Sequence, residues 1–410
     1  MGSNPTLSAN ESRHLIEPLF RSDRLHVRRV AAGDGRWQVV TFDPYHSQLG
    51  TDRPGFGESY FQEQGITAVH VLSHGNNWFQ YAEIAEVLDL IRDRCAGTER
   101  LLAYGSSMGG YAALRFGHAI GAHAVLALSP QYSVDPRKVP FETRWGQEQR
   151  RIRFLPAIED VIRPVPSMVV AFDPRLHFDR LQVDAIPAEA PIESVPLPHA
   201  GHPCGPFLSD IRLLHPLVMT VLDGTFDRAR FLHAAHRRRR SSPNFLTELA
   251  LRQPAHRIGT AIALAGKAVE QAPTGPSFRD VHARLLSTAG HHAEAIAQHE
   301  HAIALEPVAD YHWGLSRALL AAGDMAGALR VARVLQEEAP HRAGCHAWAA
   351  KLQSLMGDME GEIADLRRAA ALDPRNSSYR FTIRKRGWQL RWSRLLRLLG
   401  GRSGAPAARR

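Results

Sequence analysis

Prolines and glycines recur at regular intervals in the carboxyl-terminal part of this chain of 410 residues. Four prolines are separated by 34, 33 and 34 residues and three glycines by 33 and 34; they are Pro273, Pro307, Pro340, Pro374, Gly290, Gly323 and Gly357. Because a helix stops at or before a proline, and glycine suits the turn after a helix, each interval predicts a pair of helices. Units of this length bury their apolar faces only by stacking, so the pattern predicts an all-α solenoid.

The part of the chain before residue 228 alternates apolar, β-rich runs with helical runs. The predicted strands are 25–30, 37–42, 68–72, 101–104, 124–128, 168–172 and 192–197, and the predicted helices are 56–64, 81–94, 110–119 and 207–222. This alternation is typical of βαβ units that build a mostly parallel sheet. The predicted fold class is therefore an α/β domain followed by the all-α solenoid.

Shifts in composition predict four regions along the chain. Residues 1–228 are the α/β domain, 229–255 a basic linker, 256–378 the helical repeats and 379–410 a basic amphipathic tail. The linker contains a run of arginines, 237–240, that no aromatic residue interrupts. We interpret this run as a solvated segment and predict no nucleic-acid binding.

Ser107 is the central residue of a G-x-S-x-G pentapeptide that starts at Gly105 and ends at Gly109. It follows the strand-like run 100–104 and precedes the helix-like run 111–116. The two glycines permit a turn tight enough to present the serine hydroxyl beyond the chain, as a nucleophile elbow requires. A serine held in this way can attack a carbonyl carbon.

The order of strands and helices, together with this pentapeptide, resembles the α/β-hydrolase fold. The spacing of 33 and 34 residues and the segments 289–296 and 322–329 resemble tetratricopeptide repeats. The resemblance covers nearly the whole chain, and it implies a serine esterase or deacylase whose repeats bind a partner protein. Through the segments 76–80 and 105–111, the hydrolase part is also similar to bacterial serine hydrolases of surface-glycan modification. This similarity adds a carbohydrate-linked ester to the small acyl esters that stay open as substrates.

In α/β-hydrolases a carboxylate and a histidine follow the serine in that chain order. Asp173 ends an apolar strand and is the preferred acid, with Asp179, six residues later, as the alternative. Of two late histidines, His202 is preferred to His199 because a glycine precedes it and a proline follows it. In such a triad the imidazole takes the proton of Ser107, and the carboxylate fixes the tautomer of the ring.

The oxyanion that forms during acyl transfer needs backbone N–H donors. We predict the amides of Met108 and of Phe42 or Asp43, because the resemblance places this loop one βα unit before the elbow strand. Pro44 has no N–H. His74 and Gly75 look like the family's oxyanion loop, but they lie too close to the serine along the chain.

Asn76, Asn77 and Trp78 follow a predicted strand at the sheet edge where ligands bind. Amides beside an aromatic ring suit a sugar or a polar acyl group, although the same residues can simply form a turn. Two alternatives to hydrolysis stay open. One is transfer of the acyl group to a sugar or glycan, and the other is a scaffold whose hydrolase fold is idle.

The sequence predicts neither a metal nor a cofactor. The histidines between 282 and 301 are scattered around helices, and no phosphate-binding or dinucleotide motif is present. Three cysteines are far apart, in agreement with packing roles and a reducing compartment: Cys95, Cys204 and Cys345. Because no signal-like or membrane-spanning apolar run is found, we expect a cytoplasmic location.

The tail concentrates the positive charge of the chain. From residue 380 to 410 there are ten Lys or Arg and no acid; since the whole chain carries +9, the rest carries −1. Five apolar side chains share one face of a helix in this tail: Trp388, Trp392, Leu395, Leu396 and Leu399. Either this face caps the last repeat, or the tail contacts a membrane of anionic lipid, or a polyanion, from outside.

Overall fold

The structure is a computed structural model that describes residues 16–47 and 49–400, with side chains described up to residue 395. Leu396, Leu399 and residues 401–410 of the predicted tail lie outside these side-chain descriptions. The chain divides into two compact units, Met1–Glu248 and Leu249–Arg410. We call them the sheet unit and the repeat unit.

One sheet of eight strands organises the sheet unit. The strands are β1 (Ile16–Arg21), β2 (Leu25–Val30), β3 (Trp37–Phe42), β4 (Thr67–Ser73), β5 (Arg100–Ser106), β6 (Ala124–Leu128), β7 (Ser167–Phe172) and β8 (Glu193–Pro196). Their order across the sheet is β1-β2-β4-β3-β5-β6-β7-β8. The pairs β1–β2 and β2–β4 are antiparallel and all others are parallel. All seven predicted strands are present, and β1 is an addition.

The sheet unit contains nine α-helices in its described part. They are α1 (Glu58–Glu63), α2 (Ile84–Arg94), α3 (Met108–Phe116), α4 (Gly146–Arg151), α5 (His177–Ala185), α6 (Gly205–Asp210), α7 (Leu214–Asp223), α8 (Arg228–Arg238) and α9 (Pro243–Leu251), the last of which ends just past the unit boundary. The predicted helix 207–222 is two helices, because the chain turns between them at Arg212, whose φ is 55°.

The central strands are buried over their whole length, which explains their continuous apolar sequences. Every residue of β6 is buried, and so is every residue of β5 after Arg100. Strands of a parallel sheet with helices on both faces need apolar residues on both sides. Each fully buried large side chain, such as Phe42 or Leu102, contributes about 1.5–3 kcal/mol.

The prediction of a basic linker at 229–255 is wrong. This segment contains α8 and α9, and it belongs to the sheet unit up to Glu248. Phe231 and Ala235, four residues apart, form a buried stripe on α8, so this helix packs through an apolar face and is not a solvated segment. The hydroxyl of Ser242 donates to Asp210 at 2.6 Å and ties the start of α9 to the sheet unit.

The repeat unit is a succession of helices, as predicted. They are α10 (Ile258–Gln271), α11 (Pro276–Thr288), α12 (His292–Leu305), α13 (Ala309–Ala321), α14 (Met325–Glu338), α15 (Ala343–Leu355), α16 (Met359–Leu372) and α17 (Ser377–Gly400). Gly290, Gly323 and Gly357 have φ of 87°, 88° and 80°, and each lies in the turn inside a helix pair. The four prolines separate successive pairs. The helices thus form three pairs, α11–α12, α13–α14 and α15–α16, preceded by the single helix α10.

Small side chains form the helix contacts of the repeats. Ala295 and Ala318 in one cluster, and Ala328 and Ala349 in the next, are at most 1% exposed. Because alanine is short and favours helices, it permits close packing of helix axes at little cost in side-chain entropy. None of the helices within residues 16–47 and 49–400 combines the length and apolarity that crossing a bilayer needs.

The final helix does not cap the repeats with its predicted apolar face. Trp388, Trp392 and Leu395 are 64%, 54% and 46% exposed. The half-buried residues of α17 include Ile383 and Leu390 instead. The capping interpretation is therefore wrong for the tryptophan-bearing face.

Candidate functional site

Ser107 lies in a sharp turn between β5 and α3. Its backbone has φ 52° and ψ −115°, a conformation that side-chain-bearing residues rarely adopt. The turn requires its glycines: a Cβ at Gly105 would lie 2.1 Å from the carbonyl oxygen of Gly109, and one at Gly109 would lie 2.2 Å from that of Phe42. The predicted elbow geometry is therefore present.

His202 brings its ring to the serine. Its Nε2 lies 3.0 Å from the Ser107 hydroxyl oxygen, which is hydrogen-bond distance. His202 follows β8 and precedes α6, and its side chain is 20% exposed. The ring of His199 packs edge-on against Phe245 instead, with centroids 5.8 Å apart.

The carboxylate that reaches the histidine belongs to Asp179, and the prediction of Asp173 is wrong. Asp179 Oδ2 lies 2.7 Å from His202 Nδ1. Asp179 is in the first turn of α5, which directs it back toward the sheet edge. The Asp173 carboxylate accepts the backbone N–H groups of His199 and Gly201, each at 3.1 Å. It therefore holds the loop that carries the histidine.

Arg144 completes the surroundings of Asp179. Its Nη1 donates to Asp179 Oδ1 at 2.7 Å, so each carboxylate oxygen has a partner. Burial acts to lower the pKa of Arg144, but its hydrogen bonds to Glu142 and Asp179 outweigh burial and raise that pKa. Burial likewise acts to raise the pKa of Glu142, while Arg144 and Gln182 together lower it below its usual range. The Arg144 guanidinium therefore fixes the orientation of the Asp179 carboxylate beside the imidazole.

Gln131 is a contact of Ser107 that sequence reasoning missed. Its Nε2 donates to the serine oxygen at 3.2 Å, and its Oε1 accepts the indole N–H of Trp78 at 3.1 Å. The indole thereby fixes which end of the buried amide faces the serine. A usable signal existed, because Gln131 comes three residues after β6, at the edge where the parallel strands end.

The predicted oxyanion donors have different surroundings. Met108 is the first residue of α3, where an N–H has no acceptor within the helix. The prediction of the Asp43 amide is wrong, because this N–H donates to the carbonyl of Val71 at 3.2 Å. Phe42 is the last residue of β3 and pairs in register with Val71 and Gly105, so its backbone belongs to the sheet ladder.

The predicted pocket residues separate into two environments. Asn76 and Asn77 line a cavity of about 550 Å³ together with Arg24, Arg151 and Arg153. The side chain of Asn76 accepts the N–H and donates to the carbonyl of His46, so it also holds the loop. The prediction that Trp78 lines the pocket mouth is wrong.

Trp78 is fully buried against Trp145, with ring centroids 5.2 Å apart. Its φ is 51°, and the next residue, Phe79, also has a positive φ of 57°. This double turn directs both rings into the core, where burial compensates the backbone cost. The contact of Trp78 with the site is therefore made through Gln131.

The other reactive groups offer no competing centre in the part of the chain that the structure describes. There, no group of three or more His, Cys, Asp or Glu residues could hold a metal ion. Burial raises the pKa of Cys95 to about 11 and that of Cys204 to about 12. Both thiols therefore stay protonated near neutral pH and are poor nucleophiles.

The repeat unit has a second cavity, of about 790 Å³, along α11, α13 and α15. Trp313 and Arg317 line it, and two ion pairs do so as well: Arg284 with Asp280 at 3.2 Å and Arg342 with Asp310 at 3.1 Å. The cavity thus presents an aromatic ring among charges of both signs.

No protein-family model matches this chain, and no curated protein does. Solved structures that match include TTC0263, a thermophilic TPR protein of Thermus thermophilus, with 17% identity over 43% of this chain and 97% of that chain and a TM-score of 0.32. MamA (MSR-1) matches with 15% identity over 41% and 92% and a TM-score of 0.30. YrrB, a TPR protein with an unusual peptide-binding site, matches with 14% identity over 37% and 78% and a TM-score of 0.31. Similarities of this size carry no argument about the fold or function of this chain.

Proposed function

We propose that the sheet unit is a serine hydrolase that cleaves small acyl esters through Ser107, His202 and Asp179. The observation that carries this proposal is one continuous chain of hydrogen bonds, from the serine hydroxyl to the imidazole at 3.0 Å and from the imidazole to the carboxylate at 2.7 Å. These are the contacts that activate a serine.

The topology of the sheet supports the same proposal. Ser107 follows β5, Asp179 comes after β7 and His202 comes after β8, so all three start from the carboxyl ends of parallel strands. Ligands bind at this edge in α/β proteins. The chain order serine, aspartate, histidine is that of α/β-hydrolases, and the strained turn at Ser107 matches their nucleophile elbow.

In the proposed mechanism, His202 Nε2 removes the proton of Ser107 as the serine oxygen attacks the ester carbonyl. Asp179 accepts the Nδ1–H, which fixes the tautomer and stabilises the imidazolium. The tetrahedral intermediate collapses when the imidazolium protonates the departing alcohol. A water molecule, deprotonated by the same ring, then attacks the acyl-enzyme and releases the acid and the free serine.

We assign the second oxyanion donor to the side chain of Gln131. The Asp43 amide is engaged with Val71, whereas Nε2 of Gln131 lies 3.2 Å from the serine oxygen. The oxyanion is carried by the carbon that the serine oxygen attacks, two bonds from that oxygen, so a small movement of the amide reaches it. Together with the Met108 N–H, it supplies two donors near the developing negative charge.

Hydrolysis of p-nitrophenyl esters of increasing acyl length tests the proposal. The wild type should turn over the short esters, and Ser107→Ala should lower kcat by about 10⁴-fold or more. Ser106→Ala is the matched control, because Ser106 is the adjacent buried serine and ends β5. Equal rates for wild type and Ser107→Ala would reject the proposal.

Acyl transfer to a sugar is the second candidate. The loop of Asn76 and Asn77 supports it, because the next residue, Trp78, contacts Gln131 beside the serine, and the amides and arginines of the cavity at this loop suit hydroxyl-rich or anionic acceptors. Measuring the acylated product with and without a sugar acceptor separates the reactions. If the enzyme is a transferase, the acylated sugar should be the main product when the acceptor is present, and free acid should be the minor product.

For the repeat unit we propose binding of a peptide segment of a partner protein. The cavity along α11, α13 and α15 offers Trp313 for apolar contact and Arg317 for a carboxylate or carbonyl. Screening a peptide library for sequences enriched by binding to the full chain tests this proposal. Arg317→Glu should abolish the enrichment, whereas Arg330→Glu, an exposed arginine outside the cavity, should preserve it.

A further inference from the structure

We propose that the outer face of α17 docks on the surface of a bilayer that contains anionic lipid. Four large apolar side chains of α17 are exposed: Phe381 (69%), Trp388 (64%), Trp392 (54%) and Leu395 (46%). We call them the outer stripe. This proposal is independent of the hydrolase activity and concerns a surface that neither the sheet nor the repeat cavity uses.

The outer stripe is narrow and continuous. Its members are separated by seven, four and three residues, which keeps all four within about 60° of one another at 3.6 residues per turn. From Phe381 to Leu395 the stripe extends for about 21 Å along the helix. A single exposed apolar residue is ordinary, but an aligned set with two tryptophans indicates a contact surface.

The fold holds this stripe toward solvent. The residues of α17 that are half-buried include Ile383, Arg386 and Leu390, on the opposite side of the helix. Arg386 forms an ion pair with Glu362 of α16 at 2.9 Å and donates to Ser354 of α15 at 2.8 Å. Rotation of α17 that would bury the tryptophans would break these contacts and expose the nearly buried Glu362.

Basic residues flank the stripe on both sides. On a helical wheel Arg384 and Arg391 lie on one side and Lys385 on the other, and all three are exposed. Among the described residues, none of the three has a carboxylate within ion-pair distance. An anionic surface would therefore meet the charges of these three side chains without a competing carboxylate from the described residues.

A depression beside the stripe is suited to a lipid phosphate. It has a volume of about 620 Å³ and is lined by Arg380, Arg384, Phe381 and the hydroxyl-bearing Ser377 and Ser378. Guanidinium and hydroxyl groups next to an exposed aromatic ring match a phosphate that lies at the boundary of the acyl region. The phosphate would therefore contact the arginines at the level of the membrane where Phe381 meets the start of the acyl chains.

The charge pattern favours lipid over a second copy of the chain or over RNA. Two α17 helices that paired through their stripes would bring like charges together. The three aromatic rings of the stripe are able to stack on RNA bases, but the aliphatic Leu395 completes an apolar band that acyl chains cover and bases do not. A lipid surface satisfies both features, since tryptophan prefers the interface and arginine reaches the headgroups.

Flotation of the full chain with vesicles tests the proposal. The chain should bind vesicles of phosphatidylcholine with about 30% phosphatidylserine, bind neutral vesicles far less, and dissociate as salt rises. Trp388→Ser/Trp392→Ser should weaken binding about tenfold or more, because apolar insertion is lost. The matched control is Leu355→Ser/Met356→Ser, which removes exposed apolar side chains elsewhere in the repeat unit and should leave binding unchanged.

The charge contribution has its own variant. Arg384→Gln/Lys385→Gln/Arg391→Gln should weaken binding about 100-fold, at roughly fivefold for each charge removed. All substituted side chains are exposed, and circular dichroism verifies that each variant is folded. Equal binding to neutral and anionic vesicles, no binding at all, or unchanged binding by the double tryptophan variant would overturn the proposal. Binding to RNA or self-association through the same residues, without vesicle binding, would also overturn it.

Discussion

The sheet unit and the repeat unit obtain their structure from contacts of very different range. In the sheet unit, four residues from separate segments of the chain meet because parallel strands end at one edge: Ser107, Gln131, Asp179 and His202. In the repeat unit, each pair of helices contains a turn glycine between its two helices, and the same arrangement recurs every 33 or 34 residues. The fold of the repeat unit is therefore determined by residues that are close together in the sequence. The candidate site of the sheet unit is determined by the order and direction of the strands.

The largest effect should distinguish the two carboxylates of the sheet unit. Asp179→Asn should lower kcat for ester hydrolysis by about 10³–10⁴-fold, because the amide cannot stabilise the imidazolium and favours the wrong tautomer. Asp173→Asn should instead lower stability, since it weakens the acceptor for the His199 and Gly201 amides, and leave kcat of the folded fraction nearly unchanged. Steady-state kinetics with thermal unfolding of both variants provides the measurement. The reverse pattern would return the acid role to Asp173.

The next effect tests the long-range contact of Gln131. Gln131→Ala should lower kcat by about 100-fold, with KM changed little, because the donor acts mainly on the oxyanion. Trp78→Phe, which removes the N–H that orients the amide together with part of a buried ring, should cause a smaller loss in kcat and some loss of stability. A purely structural role for Gln131 would appear as lower stability with unchanged kcat.

Acid should destabilise the sheet unit through His70 of β4. Burial lowers the pKa of His70 to about 4, with the Glu58 carboxylate opposing burial. The unfolded chain therefore takes up a proton near pH 6.5 that the folded chain rejects, so stability falls as pH decreases from 6.5 toward 4, by up to about 3 kcal/mol. Hydrogen exchange of β4 amides should show this loss in the wild type and a smaller loss in His70→Gln. Parallel pH profiles would refute the assignment.

A modest effect on stability should follow from changes to the N-cap residues of the repeat unit. Asp324 and Asp358 cap α14 and α16 by accepting backbone N–H groups at 2.7 and 2.9 Å, whereas the equivalent cap residue of α12, His291, makes no such bond. Asp358→Ala should cost about 1 kcal/mol of stability, and His291→Asp should add a comparable amount. Thermal unfolding monitored by helical circular dichroism measures both. No gain from His291→Asp would show that the repeats are not locally equivalent.

The smallest expected effect is that of removing the repeats. All four residues of the proposed site lie before residue 249, so a fragment of residues 1–255, which retains α9, should keep the kcat of the full chain for short esters. The measurement is the specific rate of the folded fragment. If a folded fragment is inactive, the repeat unit contributes to the site and the separation drawn above fails.

The sequence predicted the interior of the sheet well and its edge poorly. The bounds of β3 and β6 match their apolar runs, because both faces of these strands are buried. β1 was missed because it is an edge strand of mixed polarity with half-exposed and exposed residues. What makes this segment a strand is its antiparallel pairing with β2. The alternation of apolar and polar residues along the segment does not reveal that pairing.

The sequence predicts those parts of the site that depend on backbone conformation. It does not predict those that depend on the direction in which a side chain points. The Ser107 elbow follows from glycines that permit close approach. The choice between Asp173 and Asp179 depends on the direction of the first turn of α5. Gln131 belongs to no sequence motif. The orientation of its side chain depends on the hydrogen bond from the buried Trp78, which is distant in the sequence.

Labelling with a fluorophosphonate probe tests the central claim most directly, since the probe reacts with a serine only when an adjacent base activates it. The account predicts that the full chain is labelled at Ser107, as identified by peptide mass, that Ser107→Ala is not labelled, and that His202→Ala is labelled far more slowly. A folded wild-type chain that remains unlabelled, or that is labelled at another serine, would contradict the account and leave a partner-binding protein with an inactive sheet unit.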